Sequence, residues 1–168
     1  MVYRYAGSGL AQPVVLTERV VAQDGLRLEI LVTAERGTEA RSWIQVVTDT
    51  PENRRGDRVD ALFLVEGDQR TELPNKDNAD LYRLYEWVIP PRGGPLSDKT
   101  ESRQRVDAGG QGYDAVCRSG RQRIEQREVE VRACDSEAFL WTRLRLTIEA
   151  VDNGEVIYRM NVVEAGRR

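Results

Sequence analysis

The side chains able to do chemistry are two cysteines, two lysines, scattered carboxylates and a set of aromatics, with no histidine among the 168 residues. Without imidazole the usual general base is missing, and with it the nucleophilic triads that depend on one. The commonest zinc and non-haem iron ligand sets go too. What remains is carboxylate pairs, tyrosine, a bound cofactor or lysine, and Lys76 lies in a stretch of turn character, PNKDN. Asp77 with Asp80, and Asp135 with Glu137, lack the ligand series and central glycine of a calcium loop. An enzyme would have to work with paired carboxylates, on carbohydrate for instance, and this ranks third among the readings. No cofactor, catalytic residue or metal site is expected.

The cysteines, Cys117 and Cys134, are seventeen residues apart, with neither CxxC spacing nor histidine to complete a metal site. Two cysteines in a small β domain predict a disulfide between strands, with two separate buried thiols as the alternative. The phase of the surrounding residues is mixed. Cys117 follows Tyr113 and Ala115 on an inward-reading face, whereas Cys134 is out of phase with Val129, Val131 and Ala133. Just before Cys117 stands AGGQG, Ala108 to Gly112. A phosphate loop needs its glycines directly before a helix, and here an alternating strand, YDAVCRS, follows instead. The glycines are expected to form a tight turn.

The elements that must position these residues are mostly strands. Period-two alternation marks VVLTERVVA, LRLEILVTA, SWIQVVT, VDALFLVEG, YDAVCRS, EVEVRAC, LRLTIEA and EVIYRMNVV, with Gln69–Leu73 returning from a turn at Glu66-Gly67-Asp68. This predicts an all-β protein: an antiparallel curved sheet or β-sandwich of about eight strands with one short helix. For the first hairpin a three-residue loop, Gln23-Asp24-Gly25, sets Val20 opposite Leu28 and Leu16 opposite Val32. For the last, a three-residue loop ending at Gly154 sets Ala150 with Val156, Ile148 with Tyr158, Leu146 with Met160 and Leu144 with Val162. Each register keeps the apolar set on one face.

One segment reads otherwise. Leu81, Leu84, Tyr85 and Val88 stand at i, i+3, i+4 and i+7, behind Asn and Asp residues suited to capping and ahead of Pro90-Pro91. This predicts a helix near residues 78–88, covering part of the sheet. Tyr82, Tyr85 and Trp87 are the candidate contacts for a ligand or partner, with Trp141 as a further groove aromatic; core packing is the competing role for all four. Residues 1–12 read as a small-residue tether ahead of a single domain over 13–168, and 91–101 as a flexible connection. The tripeptide Arg55-Gly56-Asp57 reads as a chance match.

Net charge is −3, and acidic and basic residues are interleaved through the arginine-rich stretch from Lys99 to Arg132. That leaves no basic footprint for nucleic acid. No apolar run is long enough for a transmembrane helix, and residues 1–13 lack the apolar core of a secretory signal.

The segments VDAGGQGYDAVC (Val106 to Cys117) and LRLTIEAVDNGEVIYRMNVVEAG (Leu144 to Gly166) resemble exported β-rich proteins related to outer-membrane lipoprotein carriers. The chain is similar also to bacterial lipoproteins whose mature domains follow a small-residue tether. The resemblance implies a curved extracytoplasmic sheet with a helix at its mouth, holding an apolar ligand or a protein partner. The resulting expectation is a non-enzymatic domain of the cell envelope or periplasm, with a cytosolic adaptor or toxin-neutralising protein as the alternative.

Overall fold

Strand-forming sequence dominates the computed structural model, which describes residues 1–56, 58–138 and 143–166. The protein is all-β and antiparallel, with eleven strands among the described residues where about eight were expected. The chain divides into two compact units, residues 14–89 and residues 1–13 with 90–168.

The unit of residues 14–89 is a five-stranded meander of β2 (Val14–Asp24), β3 (Arg27–Arg36), β4 (Glu39–Thr48), β5 (Ala61–Glu66) and β6 (Gln69–Leu73), each paired with the next. Its first hairpin departs from the expected register. Asp24 pairs with Arg27 across a two-residue Gly25-Leu26 turn, and a bulge between Val20 and Ala22 then sets Val20 opposite Ile30 and Leu16 opposite Ala34. Glycine opens the turn with φ of 56°, the glycine-first pattern of a type II′ hairpin. The expected pairing is thus off by two residues, which preserves the face but changes every partner. Beyond the bulge the end of β2 leaves the core, and Val20 is 46% exposed. β4 is buried on both faces from Trp43 to Val47. One face of this sheet gathers Leu16, Leu28, Ile30, Val32, Trp43 and Leu62.

A five-residue helix α1 (Pro51–Arg55), absent from the sequence expectation, joins β4 to β5. Thr50 caps it, accepting from the Asn53 amide, with proline at the first helical position. The helix expected near 78–88 is a chain of three short pieces. A 3-10 turn at Lys76–Asn78 leads into α2 (Ala79–Leu84), and a second 3-10 turn follows at Glu86–Val88.

The other unit is a six-stranded antiparallel sheet in the order β1, β11, β10, β9, β8, β7, where β1 is Val2–Ala6, β7 Ser97–Ala108, β8 Gln111–Ile124, β9 Arg127–Asp135, β10 Arg143–Ala150 and β11 Val156–Glu164. Residues 2–6 are therefore a strand and not a tether: Tyr3 and Tyr5 pair with Val162 and Met160 and are buried. Apolar alternation over only VYRYA is short, but two tyrosines facing one way carry ample area for burial. The connection expected at 91–101 likewise continues into β7, a strand of polar and charged residues that alternation of hydrophobicity cannot reveal. In the last hairpin the expected pairs Ile148–Tyr158 and Leu146–Met160 form. The loop is one residue longer than expected, closing between Ala150 and Glu155 with Gly154 at φ of 70°. Glu149, not Ala150, pairs with Val156, and a bulge at Ile157 restores the register.

Candidate binding site

The apolar stripe of the helical segment packs as its period demands. Leu84 and Val88 are buried, and Tyr85 lies edge-on against Trp43 of β4, centroids 5.0 Å apart. The Tyr85 hydroxyl stands 3.4 Å from Glu18 Oε1 on β2 and 3.4 Å from Gln45 Oε1 on β4. Glu18 is 4% and Gln45 1% exposed, so a carboxylate, an amide and a phenol meet under the helix on an otherwise apolar face. The Trp43 Nε1 and Gln45 Nε2 atoms are buried without hydrogen-bond partners. Each such donor costs about 1–3 kcal/mol of desolvation, so this cluster locates the helix by chemistry at some expense in stability. Tyr85 is thereby packed, half-buried, against the sheet, in the place where an apolar ligand was expected to enter.

Trp87 and Tyr82 are placed differently. The Trp87 ring lies between two guanidinium groups, Arg41 at 3.5 Å and Arg36 at 4.2 Å from its centroid. Arg41 is fixed further by donating to the Arg83 carbonyl at 3.0 Å and to Glu86 at 2.9 Å, and Arg36 by Glu39 at 2.7 Å. Tyr82 is 60% exposed, the most exposed aromatic among the described residues. Of the candidates, then, Tyr82 is exposed, Tyr85 and Trp87 are half-buried with different neighbours, and Trp141 lies outside the described residues. Arg36, Arg41, Glu18 and Gln45 were not anticipated. The one available signal was phase: Glu18 occupies the inward position between Leu16 and Val20.

Beside this segment a cleft of about 480 Å³ is lined by Asp60, Leu62, Glu72, Pro74, Asn75 and Asn78, among others, and by none of the candidate aromatics. The loop before α2 is built by asparagines in left-handed conformation, Asn75 at φ 43° and Asn78 at 61°. Asn75 Oδ1 accepts from the Leu81 amide, and Asp80 accepts from the Asn75 amide. The cleft carries two carboxylates, Asp60 and Glu72. Asp60 accepts from the Thr48 hydroxyl at 2.7 Å. The carboxylates weighed for calcium are engaged as well, Asp80 with Arg83 and Asp135 with Arg143 and Arg118. Among the described residues no group of three metal-ligating side chains forms, and no helix is long and apolar enough to cross a membrane. Asp57 of the Arg-Gly-Asp tripeptide lies outside the described residues.

Cys117 on β8 and Cys134 on β9 are directly opposite and bonded, their Cα atoms 4.1 Å apart. The two-residue turn closing Ile124 against Arg127 makes this a pair without backbone bonds between its residues, the closer kind, which suits a disulfide. The mixed phase is explained: Cys134 faces away from Val129, Val131 and Ala133, on the same side as Cys117. The glycines before Cys117 form the β7–β8 turn. Gly109 has φ of 62°, and a Cβ there would lie 2.2 Å from the Ala165 amide nitrogen. No phosphate loop exists.

No family model matches the chain, nor does any curated protein or solved structure.

Proposed function

We propose that the protein is a non-enzymatic binding domain of an oxidising compartment, the cell envelope or periplasm, and that it engages a protein partner through Tyr82, Trp87 and the arginines around them. The observation that carries this reading is exposed Tyr82 on the same short segment as Trp87, whose half-buried ring lies against the guanidinium groups of Arg36 and Arg41. Tryptophan, tyrosine and arginine are the residues that dominate the energetics of protein interfaces, and side chains already fixed before binding lose less entropy on contact. An apolar small molecule fits less well, because Tyr85 occupies the site under the helix. The disulfide supports the compartment, since such bonds persist where thiols are not kept reduced.

Two measurements in the native host test the proposal. A photo-crosslinking amino acid at position 82 gives a discrete protein adduct that Trp87→Ala abolishes, while the same probe at exposed Arg123 gives none. Equal adducts from both positions, or none from either, overturns the binding face. Thiol alkylation before lysis finds Cys117 and Cys134 protected; two labelled thiols in living cells would return the chain to the cytosolic adaptor reading.

A further inference from the structure

β11 runs between β1 and β10, and from Arg159 to Asn161 both pairings are regular. Asn161 lies opposite Arg4 on one side and Arg145 on the other, and Arg159 stands two residues along β11 itself. Paired residues share a face of the sheet, as do residues i and i+2 of one strand. Tyr3, Tyr5, Leu144, Met160 and Val162 fill the buried face, whereas the alternating Arg4, Arg145 and Arg159 are exposed. Three guanidinium groups therefore stand on the outer face round one asparagine. Strand spacing and rise put the Cα atoms of Arg4 and Arg145 about 5 Å, and that of Arg159 about 7 Å, from the Cα of Asn161. A point on the sheet close to Asn161 is then about 5 Å from the Cα atoms of all three arginines, within reach of each side chain.

Elsewhere on this face arginines are answered by carboxylates: Arg132 meets Glu130 at 2.6 Å and Arg121 meets Glu128 at 3.6 Å. Among the described residues Arg4, Arg145 and Arg159 have no such partner, and no hydrogen bond engages the half-buried side-chain amide of Asn161. The positions bordering the group on the same face are Ala6 and Thr147, opposite Arg159, and Cys134, opposite Arg145. None is acidic. In a chain of net charge −3 this is a local excess of three cations. The strands that space them are held from below by the buried pair Tyr5 and Met160.

The donor set selects the ligand. A guanidinium group binds oxyanions through a planar fork of N–H donors. A carboxylate would offer three such forks two oxygens and a single charge. A phosphate monoester offers three oxygens and about −1.5 to −2 charges at neutral pH, which matches three arginines more nearly. The Asn161 amide adds a donor at the centre. We propose that Arg4, Arg145 and Arg159, with Asn161 between them, bind the phosphate monoester group of a ligand whose remainder lies over the open sheet face. This site belongs to the other compact unit from Trp87 and does not rest on the partner proposed there.

The test titrates inorganic phosphate and glycerol phosphate into the disulfide-intact chain at constant ionic strength, following arginine Nε–H and asparagine amide signals by NMR. Saturable shifts at Arg4, Arg145, Arg159 and Asn161 are expected, with a Kd of about 1 mM for so open a site. Sulfate, a dianion of the same shape, competes, and acetate does not. Arg145→Gln and Arg159→Gln each weaken binding about tenfold, through loss of charge-assisted hydrogen bonds. Arg132→Gln, one strand further and already paired, leaves it unchanged. Far-ultraviolet circular dichroism confirms that each variant keeps its strands. Vesicles of phosphatidylcholine with and without phosphatidic acid distinguish the source of the phosphate. Pelleting that needs phosphatidic acid and is lost in Arg145→Gln assigns it to a lipid headgroup; binding of glycerol phosphate without pelleting assigns it to a soluble ligand. Shifts that rise without saturating, that acetate reproduces, or that survive both Arg145→Gln and Arg159→Gln overturn the proposal.

Discussion

Reducing the Cys117–Cys134 bond leaves every packed atom in place except the link between two sulfurs, so it isolates what the cross-link contributes. The bond closes a loop of seventeen residues. Loop closure at that length removes about 10 cal/mol/K from the unfolded chain, or about 3 kcal/mol at 25 °C. The expected loss on reduction is therefore about 3 kcal/mol. Urea unfolding with and without reductant, followed by far-ultraviolet circular dichroism, should show it. With a slope of about 1–3 kcal/mol/M the midpoint falls by about 1–3 M. A difference below about 1 kcal/mol would refute the loop-entropy reasoning, and two free thiols by mass spectrometry in air-oxidised folded protein would refute the bond itself.

Three other perturbations follow from named contacts. Burial pushes the Tyr158 hydroxyl well above its ordinary pKa of 10.0. Above that pH the unfolded chain loses a proton that the folded one keeps, so stability falls as pH rises, by up to about 1.4 kcal/mol per unit; Tyr158→Phe flattens this alkaline limb in pH-dependent denaturation, and an unchanged slope counts against it. Gln45→Met removes the buried Nε2 donor at similar volume and raises stability by about 1 kcal/mol, read as a higher urea midpoint; a loss of 2 kcal/mol or more would mean that the amide is satisfied. Gly109→Ala costs more than about 2 kcal/mol because backbone atoms of Glu164 and Ala165 lie where its Cβ must go, whereas Gly110→Ala, with open space around it, costs only the roughly 1 kcal/mol of a left-handed alanine. Equal losses at the two positions would remove the steric explanation.

The parts of the fold that were legible in the sequence are those where apolar residues alternate without interruption. β3, β5, β9 and β10 were visible, as was the helical stripe from Leu81 to Val88. Bulges were not. The doublet Val20-Val21 reads equally well in either phase, so nothing local marks where β2 slips against β3, and a register drawn from an unbroken ladder had to fail there. β7 was hidden for another reason: its residues face outward on both sides for most of their length, and a strand with nothing to bury carries no period. β1 was too short to distinguish from a tether until its tyrosines met Val162 and Met160. At the site, the aromatics could be named but not sorted. Helical spacing placed Tyr85 on the packed stripe, yet only the tertiary partners, Trp43, Glu18 and Gln45 for Tyr85 and Arg36 and Arg41 for Trp87, distinguish the two half-buried rings. Arg36 and Arg41 are far from Trp87 in the chain, and no sequence pattern links a β3–β4 hairpin to the ring it will clasp.

The helical segment is six residues of α-helix between two single 3-10 turns, far below the length at which helix stands on its own. Its position is therefore set by what it touches. Tyr85 reaches through the apolar face to the only buried polar groups of that face, where sliding by one residue would leave the phenol in hydrocarbon and Gln45 without its one contact. Arg41 ties the Arg83 carbonyl, the Glu86 carboxylate and the Trp87 ring to a strand in a single planar group, which lysine, with one compact charge, cannot do. These two anchors act on neighbouring residues of the segment and come from one face of β4, where Arg41, Trp43 and Gln45 alternate along the strand. The unpaired donors beneath it are tolerable for the same reason: they help to fix the one register in which Tyr82 is exposed and Trp87 meets Arg36 and Arg41.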